Sequence, residues 1–212
     1  MDKRFENNMV DIVGSIVSHP EFSYEKFGEK FCTFNIVSKR LSGYEDIIPV
    51  IVPEWMASDR DYYGRKVKIT GQFRSCNRND RERNRLVLSV HANEIEEIDD
   101  DNESLSKNKI RLDGFICKRP IYRETPMGRE IADVLLAVNR SYGKSDYIPC
   151  LFWGNNAKHV YTLGVGAHIM VSGRIQSREY VKGLAETESE TRVAYEVSVN
   201  RFEVEEEKED AD

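Results

Sequence analysis

The stretch GRIQSREY, Gly173 to Tyr180, sets Arg174, Gln176, Arg178 and Tyr180 at alternate positions. In a β-strand alternate side chains share a face, so cations, an amide and a ring would point one way while Ile169, Val171 and Ile175 point into a core. The stretch DYIPCLFWG follows the same rule, with Tyr147, Leu151 and Trp153 on one parity and Ile148, Cys150 and Phe152 on the other. Cations along a phosphate track and rings on which bases stack are what binding a single nucleic-acid strand without reading its sequence requires, each stacked base being worth roughly 1–3 kcal/mol. Arg140, Tyr142 and Lys144, and further upstream Tyr122, Arg123 and Arg129, extend the same candidate surface. Tyrosine and tryptophan also fit a half-buried pleated surface for packing alone. The joint occurrence of rings and cations on one face carries the reading.

The pattern has an earlier echo. In GRKVKITGQFRSCNR, Gly64 to Arg78, Val67, Ile69 and Phe73 face inward, and Lys66, Lys68, Arg74 and Arg78 face outward. Sliding the sequence by 100 residues pairs Gly14 with Gly114, Ile16 with Ile116, Pro20 with Pro120, Gly28 with Gly128, Arg40 with Arg140, Gly43 with Gly143 and Asp46 with Asp146. The offset grows to 102 at Gly71/Gly173 and Ser75/Ser177, and to 107 at Val90/Val197, as loop insertions would make it. Two copies of this size are duplicated domains and not the short stacked units of a solenoid.

The formal net charge of the 212 residues is −6, but the acid is concentrated. Residues 203–212 and residues 96–106 each carry −6, whereas residues 107–202 carry +5 and residues 1–95 carry +1. The expected organisation is a first domain over 1–95, an acidic linker over 96–106, a second domain over 107–202 and an acidic disordered tail over 203–212. The tail is read as a solubilising end, with competition for the cationic face as the other reading.

Strands are expected in the second copy near 110–118, 131–140, 146–153, 167–178 and 192–202, with a helix over Asn155 to Leu163. Five strands with a helix between the third and fourth is the order of an OB-fold, a small Greek-key barrel. The fold class is therefore all-β, two tandem OB-folds, each with a short helix between strands 3 and 4.

The segment DYIPCLFWGNNAKHVYTLGVGAHIMVSGRIQSREY resembles the third strand, helix and fourth strand of the bacterial single-stranded DNA-binding protein family. Trp153-Gly154, Gly164-Val165-Gly166 and Gly173 to Tyr180 fill the family's motif positions, and Gly114 and Pro120 match its opening hairpin. The resemblance implies cooperative, sequence-tolerant binding of single-stranded DNA in replication, repair or recombination, without catalysis. It also implies an assembly of four barrels, which for a two-barrel chain means a homodimer. The chain ends EEEKEDAD, without the family's terminal aromatic, so recruitment of replication or repair proteins by that tail is not implied.

Other classes find little support. There is no phosphate-cradling Gly-rich loop, HExxH or Gly-x-Ser-x-Gly elbow, so no enzyme is expected. Cys32, Cys76, Cys117 and Cys150 lack metal-ligand spacing and are read as reduced thiols, with no cofactor or metal. No apolar run reaches membrane-spanning length and the N-terminus has no signal-peptide pattern, which points to a cytoplasmic protein. The alternative is an OB-fold protein–protein interaction module, which would show an aromatic patch without surrounding cations.

The first copy differs at its strand positions: Tyr147, Leu151 and Trp153 are matched by Ile47, Ile51 and Pro53, and Tyr180 by Arg78. The second copy is accordingly expected to carry most of the affinity. The first supports assembly, with Arg40, Tyr44, Lys66, Lys68, Arg74 and Arg78 as a secondary nucleic-acid surface.

Overall fold

The computed structural model describes residues 7–58, 62–80, 83–98, 107–183 and 189–205; the side chains of 78–80, 83–85, 142, 182–183 and 189–190 lie outside the description. The first repeat contributes β1 (Asn8–Ile16), β2 (Glu21–Lys26), β3 (Glu29–Lys39), β4 (Glu45–Pro53), α1 (Glu54–Ser58), β5 (Lys66–Asp80) and β6 (Arg83–Glu97). The second contributes β7 (Asn108–Ile116), β8 (Ile121–Glu124), β9 (Glu130–Asn139), β10 (Ser145–Trp153), α2 (Gly154–Thr162), β11 (His168–Gly183) and β12 (Ser189–Val204). The elements keep the 100-residue offset up to β10, and β5 and β11 then begin at Lys66 and His168, an offset of 102.

Each repeat closes a five-stranded barrel. In the first, β3-β4-β6-β5-β1 run side by side and β1 returns to β3; in the second, β9-β10-β12-β11-β7 do the same and β7 returns to β9. The third and fifth barrel strands pair in parallel, Val50 opposite Val90 and Cys150 opposite Val197, while the other registers are antiparallel. This is the OB-fold, twice. One extra strand per repeat was not among the strands expected: β2 and β8 are short strands added at the edges of β3 and β9.

Alternation builds the cores. Ile36, Ile48, Val50, Ile69, Phe73 and Val90 fill the first barrel, and Leu136, Ile148, Phe152, Ile169, Val171 and Val197 the second, all at most 1 % exposed. Each such side chain contributes about 1.5–3 kcal/mol of burial. Phe152 meets Phe202 edge-on, with ring centroids 5.2 Å apart.

The repeated glycines have a steric cause at two positions. A Cβ on Gly14 would lie 2.1 Å from the Val37 carbonyl oxygen, and one on Gly114 would lie 2.5 Å from that of Ala137, at the seams where β1 meets β3 and β7 meets β9. Gly71 and Gly173 face the carbonyl oxygens of His91 and Ser198 in the same way, at 2.2 Å each. No side chain fits at these approaches.

The compact units do not follow the repeats. One unit comprises Met1–Met9, Ile110–Arg174 and Val197–Asp212, and the other comprises Val10–Lys109 and Ile175–Glu196. The second repeat's distal hairpin thus packs with the first repeat's barrel, while in the other unit the Asn7 carbonyl accepts from the Asp113 amide at 2.8 Å. β12 runs to Val204 and the Glu205 amide donates to the His168 carbonyl, so the first residues assigned to the tail belong to the barrel. Residues 206–212 of the tail and 99–106 of the linker lie outside the described residues.

Candidate nucleic-acid interface

The expected site residues fall into two groups, one in each compact unit. In the unit holding the second barrel, the outer faces of β8, β9 and β10 set Arg123, Ile131 and Trp153 in one row and Asp133 and Leu151 in the next, with Tyr147 opposite Ala137 further along the same face. Tyr147 is 45 % exposed and offers its ring to solvent, whereas Leu151 on the same parity is buried. Trp153 is half-buried, and its indole Nε1 donates to Ser198 Oγ at 3.1 Å, so the ring lies across β12 at the rim of the face. Arg123 donates through Nε to Asp133 Oδ2 at 2.6 Å and through a second nitrogen to Oδ1 at 3.2 Å, which partly neutralises it.

Three expectations for this unit change. Tyr122 faces the side of β8 opposite to Tyr147, because it pairs with core-facing Ala132. Its hydroxyl donates to Glu130 Oε1 at 2.6 Å, its ring lies 5.5 Å from that of Tyr161 on α2, and the carboxylate drives its pKa up to about 12. The Lys158 ammonium, 2.8 Å from Glu130 Oε2, together with Tyr122, holds the Glu130 carboxyl below its ordinary value. Arg140 is drawn into a two-pronged ion pair with the buried carboxylate of Asp146. Finally, β12 lies between β10 and β11, so Arg174 is not on the strand next to Tyr147. Arg129 and Lys144 are exposed at the ends of the β8–β9 and β9–β10 connections, and the side chain of Tyr142 lies outside the described residues.

The other unit holds Arg178 and Tyr180 together with Arg40, Tyr44, Lys66, Lys68 and Arg74. Arg178 sits over the Tyr180 ring at 6.0 Å and Arg40 over the Tyr44 ring at 4.4 Å; the rings are 37 % and 50 % exposed. An arginine behind a ring strengthens it as a stacking partner by cation–π attraction. Gln176, expected to share the solvent face with Arg174 and Arg178, is instead buried and donates to Glu196 Oε1 at 2.6 Å. Lys66, Lys68 and Arg74 do take the outward parity, but Lys68 lies 3.8 Å from Glu96 and Arg74 bonds Gln72. The side chain of Arg78 lies outside the described residues.

The first repeat also carries rings that the comparison of its third strand with the second copy's does not reveal. Tyr24 and Phe31 stack at 4.8 Å across β2 and β3, beside exposed Phe22 and Phe27. Phe27 occupies a left-handed turn position at φ 53°, unusual for a bulky residue, and Lys26 Nζ lies 5.3 Å from its ring. The signal was in the hairpin EFSYEKFGEKF, Glu21 to Phe31, which holds four rings where the second copy, IYRETPMGREI, holds one.

A closed OB barrel with exposed, arginine-backed rings on its surface defines a class of oligomer-binding modules. Residues 107–204 match the Single-strand binding protein family. A relative named "Single-stranded DNA-binding protein B", from Bacillus subtilis, is 38 % identical over 80 residues, covering 34 % of this chain and 71 % of the relative. The chain belongs to this family. "Single-stranded DNA-binding protein 1" of Staphylococcus aureus is also 38 % identical over 80 residues, and there the chain spans about half of the relative's length, 48 %. The structure of the wild-type single-stranded DNA binding protein from Thermus aquaticus superposes with a TM-score of 0.73 at 19 % identity, covering 97 % of this chain and 96 % of that one, a likeness of fold.

Proposed function

We propose that the protein binds single-stranded DNA without reading its sequence, by stacking bases on surface rings and neutralising phosphates, in support of replication, repair or recombination. The observation that carries this is the pair of exposed tyrosines backed by cations, Tyr44 under Arg40 and Tyr180 under Arg178, with a further exposed ring, Tyr147, on the outer face of a barrel strand. The names of the relatives support the same ligand. In this reading Arg123, Arg129, Lys144 and Arg174 line the path of the strand in one unit, and Lys66, Lys68 and Arg74 in the other. The role is binding and not catalysis, and two chains associate as a homodimer to give four barrels. Among the described residues no helix is long and apolar enough to cross a membrane.

The test is binding of the full chain to oligo-dT, duplex DNA and RNA of equal length across a salt titration, with Tyr147→Ala alongside. Preference for oligo-dT, a negative salt slope and a loss of about 1–3 kcal/mol in the variant are expected. Equal affinity for duplex, or no salt dependence, refutes the reading and favours the protein–protein module.

A further inference from the structure

We propose that Asp46 and Ser177 form a latch that seats the distal β11–β12 hairpin of the second repeat on the first repeat, completing there a composite single-strand site of Tyr44, Arg40, Arg178 and Tyr180. The inference rests on the functional reading above and adds which residues build the site and what holds it together.

The latch is a closed set of hydrogen bonds. Asp46 takes a core-facing position on β4 beside Ile48, with its side chain 1 % exposed. Arg40 donates to both of its oxygens, from Nε to Oδ2 at 2.7 Å and from Nη2 to Oδ1 at 2.6 Å. The backbone amide of Ser177 donates to the same Oδ1 at 2.7 Å, and the Ser177 hydroxyl lies 3.4 Å from it. That hydroxyl accepts from the Ile47 amide at 3.2 Å, and the Ser177 carbonyl oxygen lies 3.4 Å from Arg40 Nη2. A buried carboxylate is tolerated only while its lone pairs are satisfied, so Asp46 favours the state in which the hairpin is seated. The bonds to Asp46 push the Arg40 guanidinium's pKa further up, with a smaller contribution from Glu196 on the same hairpin.

The latch also fixes where the rings stand. Ser177 is the last buried residue of β11 before Arg178, Glu179 and Tyr180 emerge to solvent. At about 3.3 Å per residue, Tyr180 can be no more than roughly 10 Å along the strand from the Asp46 contact. Tyr44 lies two residues before Asp46, and one face of its ring is already covered by Arg40, leaving the other for a base. Two arginine-backed tyrosines from opposite ends of the sequence thereby share one compact unit, and the bond between the repeats positions both. Asp46 and Ser177 are positioning residues; they touch no base themselves.

The full-length chain provides the test. In Ser177→Asp a second carboxylate faces Asp46 and expels the hairpin. Oligo-dT binding should weaken about tenfold, and Tyr180→Ala, which costs about that much in the wild-type background, should cost nothing further in Ser177→Asp. Amide hydrogen exchange in residues 178–183 should accelerate in the variant while the β3–β4 amides of the first barrel stay protected. Should Ser177→Asp fail to fold, Ser177→Ala removes only the hydroxyl contacts, and a smaller loss with faster hairpin exchange is expected. An undiminished Tyr180→Ala effect in Ser177→Asp, or unchanged hairpin exchange in both variants, overturns the latch. Wild-type chain that fails to bind oligo-dT overturns the functional reading and the composite site with it, and the exchange measurement then reads the latch on its own.

Discussion

Arg140 illustrates how a cation that looks like a phosphate ligand can be a structural counter-ion, and the two roles separate cleanly by experiment. Its side chain is 28 % exposed and its guanidinium grips Asp146, whose side chain is 1 % exposed. Arg140→Ala leaves that carboxylate buried without its cation. Removing one member of a buried pair costs about 3–5 kcal/mol, and the low end applies because water can enter the space left by a partly exposed arginine. For a barrel of this size about 3 kcal/mol lowers Tm by roughly 12 °C or more. Calorimetry of Arg140→Ala, and of Arg140→Ala with Asp146→Asn, is the assay: the second variant should regain much of the loss because the stranded charge is gone. The oligo-dT salt slope should stay the same, whereas losing one phosphate contact would reduce its magnitude by about 0.7. A variant with unchanged Tm and a reduced slope would refute the counter-ion role.

Two further outcomes follow from the geometry. Gly173→Ala should destabilise the second barrel by about 1–3 kcal/mol or more, read by urea denaturation, because its Cβ would meet the Ser198 carbonyl oxygen at 2.2 Å and neither backbone can yield. Tyr122, pushed up to about 12 by its bond to Glu130, stays protonated in the fold where a free tyrosine ionises near 10. Its contribution to stability is therefore complete below about pH 10 and lost as pH rises towards 12. Tyr122→Phe should flatten that part of the stability profile, and an unchanged slope would show that the bond does not form in solution.

The barrels were legible because their signals are local. Parity alone separated Val67, Ile69 and Phe73 from Lys66, Lys68 and Arg74, and the matched glycines marked turns and close approaches that recur in both repeats. What the sequence hid is non-local. That β12 separates β10 from β11 depends on barrel closure, which no window of residues contains. Gln176 is buried because Glu196 on the next strand satisfies it, and Asp46 because Ser177 on the other repeat's hairpin joins Arg40 in satisfying it; hydropathy has no term for a partner. The doubled spacing from Arg40 to Asp46 and from Arg140 to Asp146 was visible, and a repeated acid–base pair at fixed separation points to a structural pair as readily as to a binding surface.

One premise of the division of labour expected between the copies weakens on the same ground. It rested on Ile47, Ile51 and Pro53 standing where the second copy has Tyr147, Leu151 and Trp153. Yet Leu151 is buried and Trp153 is tied to Ser198, so the second copy's strand offers one well-exposed ring, Tyr147. The first copy meanwhile displays Phe22 and Phe27, stacks Tyr24 on Phe31, and receives Arg178 and Tyr180 from the other repeat's hairpin. A cut between residues 103 and 104 would sever Ser177 from Asp46 and Asn7 from Asp113, taking from each unit a segment that hydrogen-bonds within it. Low affinity in either half would then report a broken unit and not an inactive repeat. The compact units and the duplicated units are different pieces of the chain, so point substitutions in the intact protein are the right way to assign the rings.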